Sequence, residues 1–348
     1  MSTTEEDRLH TTEASPWMCP FVPPRFLRNG HLQTIVGNLL PRTYSLPKAE
    51  SQLIEVEHPT SCGASFVLCH CHWQPAEVRS QRLTMIIVHG LEGSSSSRYV
   101  LGNSARALAA GCNVVRMNMR SCGDGEQYSP SIYHAGRSED VAIVMAELAR
   151  TYLIRSFALV GYSMGGNLVL KLAGERGVAA PPYLKAVVGV SPLMDLAASS
   201  AALYEPQNRL YESRFLSEVL KRFRHKIELF PGLYNAEGLD KIGTVRQFDE
   251  KIVARYGGFT GADDYYYSVA SSNWVQDIVV PTLILHALDD PFIRMTPDTR
   301  AKLVANPRVM LVETRHGGHC AFLSLEPGDA GYWAERTLLD FLHATVEG

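Results

Sequence analysis

Phe157-Ala158-Leu159-Val160-Gly161-Tyr162-Ser163-Met164-Gly165, continued by Gly166 and the run Asn167-Leu168-Val169-Leu170-Lys171-Leu172-Ala173-Gly174, is the stretch on which the fold turns. Phe157 to Val160 is an apolar run of strand length, and Asn167 to Gly174 carries a helical pattern. Between them the chain must pass from strand to helix within a few residues. Gly161 and Gly165, two before and two after Ser163, remove side chains where such a turn is crowded and leave the Ser163 hydroxyl projecting from the sheet. The helix start also favours negative charge developing nearby. A serine in a glycine-rich turn is common on its own; the strand before it and the helix after it are what give this one weight.

Outward from that turn, strand and helix alternate. Ser65 to Trp73, Thr84 to Val88 and Asn113 to Met119 read as strands, Glu139 to Tyr152 as a helix, and Ala186 to Val190 as another strand. Short apolar strands separated by helical patterns predict an α/β fold with a mostly parallel central sheet covered by helices on both faces. The alternation stops between Leu193 and Asn273. Leu216, Val219, Leu220 and Phe223 form one helical stripe there, and Val245, Phe248 and Ile252 another, with Thr244 and Gln247 placed as a capping box. Strands return at Thr282 to His286 and Arg308 to Glu313, and a last helix spans Tyr332 to Thr345. The reading is one domain over residues 1–348, with an N-terminal arm at 1–60 and a helical insertion, or lid, at 193–273.

The chain has 348 residues, 46% of them hydrophobic and 20% charged, and a formal net charge of −3, so it can bury a large core and carries no global field that would gather nucleic acid. Its longest apolar runs are strand-sized, which predicts no integral membrane segment. The first residues hold Glu5, Glu6, Asp7 and Glu13 and resemble no cleaved leader; with seven scattered cysteines this points to a reducing, cytoplasmic setting.

A serine hydroxyl attacks only when an imidazole takes its proton, and the imidazole needs an acid to fix its tautomer. Thr282-Leu283-Ile284-Leu285-His286-Ala287-Leu288-Asp289-Asp290-Pro291 is a strand ending in two carboxylates, and Arg315-His316-Gly317-Gly318-His319 follows the last strand in a glycine-rich loop. Either loop member of each pair can serve on this evidence. For the oxyanion, the backbone N–H of Met164, next after the serine, and that of Leu91, in His89-Gly90-Leu91-Glu92-Gly93 after an early strand, are the candidate donors. Other features have plainer readings. Cys69-His70-Cys71-His72 lies on a strand, where alternation sends cysteines and histidines to opposite faces and prevents a zinc site. Lys221-Arg222-Phe223-Arg224-His225-Lys226 reads as a solvated helix face, Tyr265-Tyr266-Tyr267 as lid packing, and His31 and His134 as structural histidines or supports of the site.

The serine turn, the His-Gly loop and the late acid and histidine resemble the α/β-hydrolase superfamily across most of the chain. Asn29-Gly30-His31-Leu32-Gln33-Thr34, Tyr133-His134-Ala135-Gly136, Thr244-Val245-Arg246-Gln247-Phe248-Asp249 and His316-Gly317-Gly318-His319 resemble signatures of its YheT-like branch, which includes abhydrolase-domain esterases and monoacylglycerol lipases. The resemblance implies an α/β-hydrolase fold, Ser163 as nucleophile, His319 as base and Asp290 as acid, with no metal or organic cofactor. It implies a serine ester hydrolase for short- to medium-chain acyl esters or monoacylglycerols, working on a small-molecule acyl ester. An acyltransferase with the same residues, and a non-catalytic binding protein of the same fold, are the alternatives.

Overall fold

The computed structural model describes residues 10–11, 17–60, 63–326 and 329–346. Nine strands, β1 (His10–Thr11), β2 (Glu50–Thr60), β3 (Gly63–His72), β4 (Thr84–Val88), β5 (Asn113–Met117), β6 (Phe157–Tyr162), β7 (Leu184–Val190), β8 (Thr282–Ala287) and β9 (Val309–Thr314), form one sheet. Their order is β1-β9-β8-β7-β6-β4-β5-β3-β2. The neighbours from β5 through β9 pair in parallel, and β1, β2 and β3 pair antiparallel at the two edges.

Burial explains the composition of each strand. Every residue of β4, β5, β6 and β8 is buried, because helices cover both faces, and the strands are therefore continuous apolar runs. Helices Arg98–Ala109 and Trp333–Val346 pack on one face around Trp333, Val100 and Tyr162. Helices Ser138–Tyr152 and Met164–Arg176 pack on the other around Val144, Leu148 and Leu168. On β3, nearer the edge, burial alternates; Cys69 and Cys71 enter the core while His70 bonds the Asp124 carboxylate outside it. Burial pushes both thiols up, Cys69 to about 12.

Strand order places the site. The chain runs from β4 to β5 on one side and then to β6 on the other, so the carboxyl ends of β4 and β6 lie side by side, with Val88 opposite Gly161. A crevice opens at such a switch point. The loop holding Leu91 leaves β4 there, and Ser163 leaves β6.

Between β7 and β8 lie helices Leu196–Leu203, Arg209–Leu229, Val245–Phe248 and Ala262–Ser268, the third continuing into a π-helical turn at Asp249–Ala254. Thr244 Oγ1 accepts the Gln247 N–H at 3.1 Å as expected, but the Gln247 side chain reaches back to the Gly243 N–H, at 2.8 Å, one residue short of the Thr244 amide used in a standard capping box. The segment read as an arm contains regular elements, among them β1, β2 and a helix at Gly30–Leu39. That helix is opened by Asn29, whose side chain accepts the Leu32 N–H.

Candidate active site

Ser163 sits at φ +54°, ψ −117°, a conformation that costs a non-glycine residue about 1–3 kcal/mol and survives only when the surroundings enforce it. They do. Its N–H donates to the Val190 carbonyl at 3.0 Å, and its own carbonyl accepts from Leu193 at 3.0 Å and Asn167 at 3.2 Å. The flanking glycines are sterically required: a Cβ on Gly161 would lie 2.2 Å from the Gly165 oxygen, and one on Gly165 would lie 2.4 Å from the Val88 oxygen. Gly90 is close to the serine as well, where a Cβ would come within 3.0 Å of the Ser163 Cβ.

At the end of β8 the two carboxylates diverge. Asp290 is buried; Oδ1 accepts the Phe292 and Ile293 N–H groups at 3.1 and 2.9 Å, and Oδ2 meets His319 Nδ1 at 2.8 Å. Burial raises its pKa, but the His319 imidazole outweighs that and the net shift is downward, so the carboxylate stays charged. Asp289 turns to the histidine loop instead. Its Oδ1 accepts the Gly318 N–H at 2.9 Å, and Oδ2 lies 3.5 Å from His316 Nδ1. Desolvation raises the Asp289 pKa. Of the two pairs that could be formed, His319 with Asp290 is the hydrogen-bonded one.

His319 Nε2 faces the Cys320 sulfur at 3.6 Å, and Ser163 lines the same cleft. Among the described residues His319 and Ser163 share no hydrogen bond; contacts of this kind commonly tighten when a substrate arrives. Cys320, whose φ is +60°, is a neighbour of the candidate base that no sequence motif had marked.

The early His-Leu-Gln-Thr run acquires a physical role. Thr34 Oγ1 accepts the His319 N–H at 2.8 Å and donates to the Gly30 carbonyl at 2.7 Å, while Gln33 bonds both the N–H and the carbonyl of Leu323. The helix Gly30–Leu39 thereby braces the histidine loop. Gly30 must lack a side chain because a Cβ there would lie 1.9 Å from the Asp289 oxygen. His31 stacks on Tyr211, and buried His134 packs edge-on against Phe259 and Tyr265, its pKa lowered to about 3 by burial. Tyr265 and Tyr266 are buried packing residues, with Tyr266 donating to Asp249, whereas Tyr267, on the outer side of the same short helix, is exposed and does not pack as expected.

On the oxyanion side, buried His89 donates from Nδ1 to the Gly90 carbonyl and accepts the Met119 N–H at Nε2, shaping the loop as a neutral ring. Among the described residues neither the Leu91 nor the Met164 amide has a hydrogen-bond acceptor. Glu92, next in the loop, has φ +56° and is held by Tyr133 and by Arg222 Nε at 2.8 Å. This corrects the solvated-face reading of residues 221–226 in part: Lys221, Arg224 and His225 are exposed as expected, but Arg222 and Lys226 are not. Arg222 and Lys226, one turn apart, point inward, where Arg222 pairs with Glu92 and Glu126, and Lys226 bonds Ser121 and the Ser129 carbonyl. Burial lowers the Lys226 pKa to about 7. A buried acceptor set drawn from distant loops turns these charges inward, and no local periodicity reveals it.

Two cavities meet at Ser163. One, of about 130 Å³, is walled by apolar side chains such as Met164, Leu196, Val219, Phe223 and Ile252. The other, of about 460 Å³, is more polar and holds His319, Cys320, Arg98 and Arg214. Leu91, Phe215 and Phe292 line both.

A sequence model of the alpha/beta hydrolase fold matches residues 84–324. YheT of Escherichia coli strain K12 is 30% identical over 344 residues, covering 98% of each chain. Phospholipase ABHD3 of Homo sapiens is 30% identical over 275 residues, which is 77% of this chain and 65% of that one. The structure of the Pyrococcus furiosus esterase Pf2001 shares the fold at a TM-score of 0.53 and 17% identity, covering 88% of this chain and 96% of that one.

Proposed function

Because this chain belongs to the alpha/beta hydrolase fold family, in its YheT-like branch, we propose that it is a serine carboxylic-ester hydrolase for short- to medium-chain acyl esters or monoacylglycerols. The observation that carries the reading is the hydrogen-bonded Asp290–His319 pair on a cleft shared with a conformationally strained Ser163 beside an apolar cavity. In the proposed cycle the His319 ring turns from Cys320 to accept the Ser163 proton at Nε2, and the serine oxygen attacks the ester carbonyl. The Leu91 and Met164 N–H groups receive the oxyanion. His319 then protonates the leaving alcohol, and water, activated by the same imidazole, releases the acid from the acyl-serine. The apolar cavity takes the acyl chain, and the wider cleft takes the alcohol. Fluorophosphonate labelling followed by peptide mapping tests the assignment. Label on a residue other than Ser163 would overturn it, and ester products formed from an added alcohol would favour an acyltransferase.

The helices between β7 and β8 act in this reading as the lid that sets chain length. Phe223 walls the acyl cavity, and Phe215 stands where the two cavities join. Phe223→Ala is expected to move the optimum to longer acyl chains, and Phe215→Ala to relax it, in a panel of nitrophenyl esters. An unchanged profile in both variants would put the acyl chain elsewhere.

Arg222 is a positioning residue in the same scheme, because it ties the lid helix Arg209–Leu229 to Glu92, the residue after an oxyanion donor. Removing a single oxyanion donor costs about 10²–10³ in turnover, and a displaced one costs less. Arg222→Met is expected to lower kcat by about tenfold to a hundredfold, with KM changing less. Since that variant leaves the buried Glu92 carboxylate with the Tyr133 hydroxyl but no cation, the Glu92→Gln/Arg222→Met double variant should recover stability without recovering kcat. Full turnover in the double variant would separate the pair from catalysis.

A further inference from the structure

The helix Gly30–Leu39 leaves most of its large apolar side chains outside, packing inward through Gly30, Gln33 and Val36. Its polar Gln33 is fully buried, whereas Leu32, Ile35 and Leu39, at i, i+3 and i+7, are 47%, 43% and 66% exposed and form one outward stripe. A surface helix of a globular protein normally turns that stripe toward the core. Two further large apolar side chains are exposed on neighbouring segments. Phe26, 72% exposed, lies in the turn just before it, and Leu210, 83% exposed, adjoins Tyr211, whose ring stacks on His31 at 5.7 Å. An exposed apolar stripe with further exposed apolar side chains on neighbouring segments marks an interaction surface.

Two further observations identify the partner. Ile35 and Leu39 border the cleft that contains Ser163 and His319, so whatever covers the patch lies at the mouth of the site. The segment from Ala14 to Ala49 contains no Asp or Glu, and the exposed Arg25 and Arg28 flank Phe26. Apolar side chains ringed by cations suit an anionic interface into which a protein dips its apolar face. We propose that this face docks the protein on an anionic lipid surface, with Phe26, Leu32 and Leu210 inserted among the headgroups and the cleft mouth held against them. An acyl ester then passes from lipid to Ser163 without crossing water. Only that last consequence rests on the ester-hydrolase reading; the docking itself does not require turnover.

The test is co-sedimentation of the Ser163→Ala protein, which leaves the lipid intact, with vesicles of phosphatidylcholine mixed with phosphatidylglycerol and with vesicles of phosphatidylcholine alone. Binding is expected on the mixed vesicles, weaker on the neutral ones and weakened by salt. Adding Phe26→Ser, Leu32→Ser and Leu210→Ser should lower the partition constant by about a hundredfold, given what inserted apolar side chains contribute. The same three changes in the wild-type background should leave the melting temperature and hydrolysis of a water-soluble ester unchanged. Equal binding with and without the three changes, or no binding by either protein, would overturn the proposal. So would a dimer in sedimentation that the three changes convert to a monomer, which would assign the face to a second copy. Vesicle binding without any ester turnover would leave docking standing and remove the proposed function.

Discussion

Ser163→Ala is expected to lower hydrolysis of a short-chain nitrophenyl ester by about four orders of magnitude or more, the scale on which loss of one member of a serine triad acts. The protein should remain folded. Among the described residues the Ser163 hydroxyl makes no hydrogen bond, so its removal strands no partner, and the turn is held by backbone contacts to Val190, Leu193 and Asn167 that the substitution leaves in place. The backbone supplies a second, sharper arm. At φ +54° and ψ −117° a side chain is a cost that glycine does not bear, so Ser163→Gly should be equally inactive yet more stable than wild type, by about 1 kcal/mol. Active-site titration with a fluorophosphonate and thermal melts of the three proteins decide the matter. A folded alanine variant with most of its activity would remove Ser163 from the mechanism.

Asp290→Asn is expected to cost about 10⁴ in kcat with little change in KM, the size of the wrong-tautomer defect when a triad acid becomes an amide. The carboxylate now accepts from His319 Nδ1 and, through its other oxygen, from Phe292 and Ile293; an amide placed there can present NH₂ to the imidazole and hold it in the unproductive tautomer. Asp289→Asn should stay within a few-fold of wild type, since an amide oxygen can still accept the Gly318 N–H. The pH profile carries independent information. Burial disfavours a charged His319, but the Cys320 sulfur and the Asp290 carboxylate together outweigh it and raise its pKa. Catalysis uses the neutral ring, so wild-type kcat/KM should keep rising with pH above the ordinary imidazole range. Loss of the carboxylate should move that limb to lower pH, since one of the two groups that raise the imidazole is gone while burial still opposes its charge. If the Asp289 variant is the crippled one and its limb is the one that moves, the two carboxylates exchange roles.

Much of this architecture is legible along the chain because it rests on local periodicities. The apolar runs at Thr84–Val88 and Phe157–Tyr162 are buried on both faces, and a strand in that position has little choice but to be apolar throughout. The glycines around Ser163 are equally readable, since the clash each avoids lies within one strand-to-helix turn or on the adjoining strand. The helical excursion between the seventh and eighth strands shows as a stretch in which helical stripes are no longer separated by strand-length apolar runs. The N-terminal arm is harder to read, because the packed face of its helix combines Gly30, Gln33 and Val36 while Leu32, Ile35 and Leu39 stay outside, so no apolar periodicity marks the buried side.

The chemistry of the site depends on contacts that no periodicity encodes. Whether Asp289 or Asp290 meets the imidazole follows from the backbone direction at the end of β8, where Phe292 and Ile293 capture one oxygen of Asp290 and aim the other at His319. The brace from Thr34 to His319 joins residues 285 apart, and the one from Gln33 to Leu323 joins residues 290 apart. Arg222 and Lys226 look like solvent-facing charges until Glu92, Ser121 and Glu126 arrive from loops more than ninety residues earlier. A run of residues reports its own period and its own steric needs, so strands, helices and the serine turn can be recognised from it. Which buried charge finds which partner is set by the order in which strands assemble into a sheet, because that order alone brings distant loops to one edge.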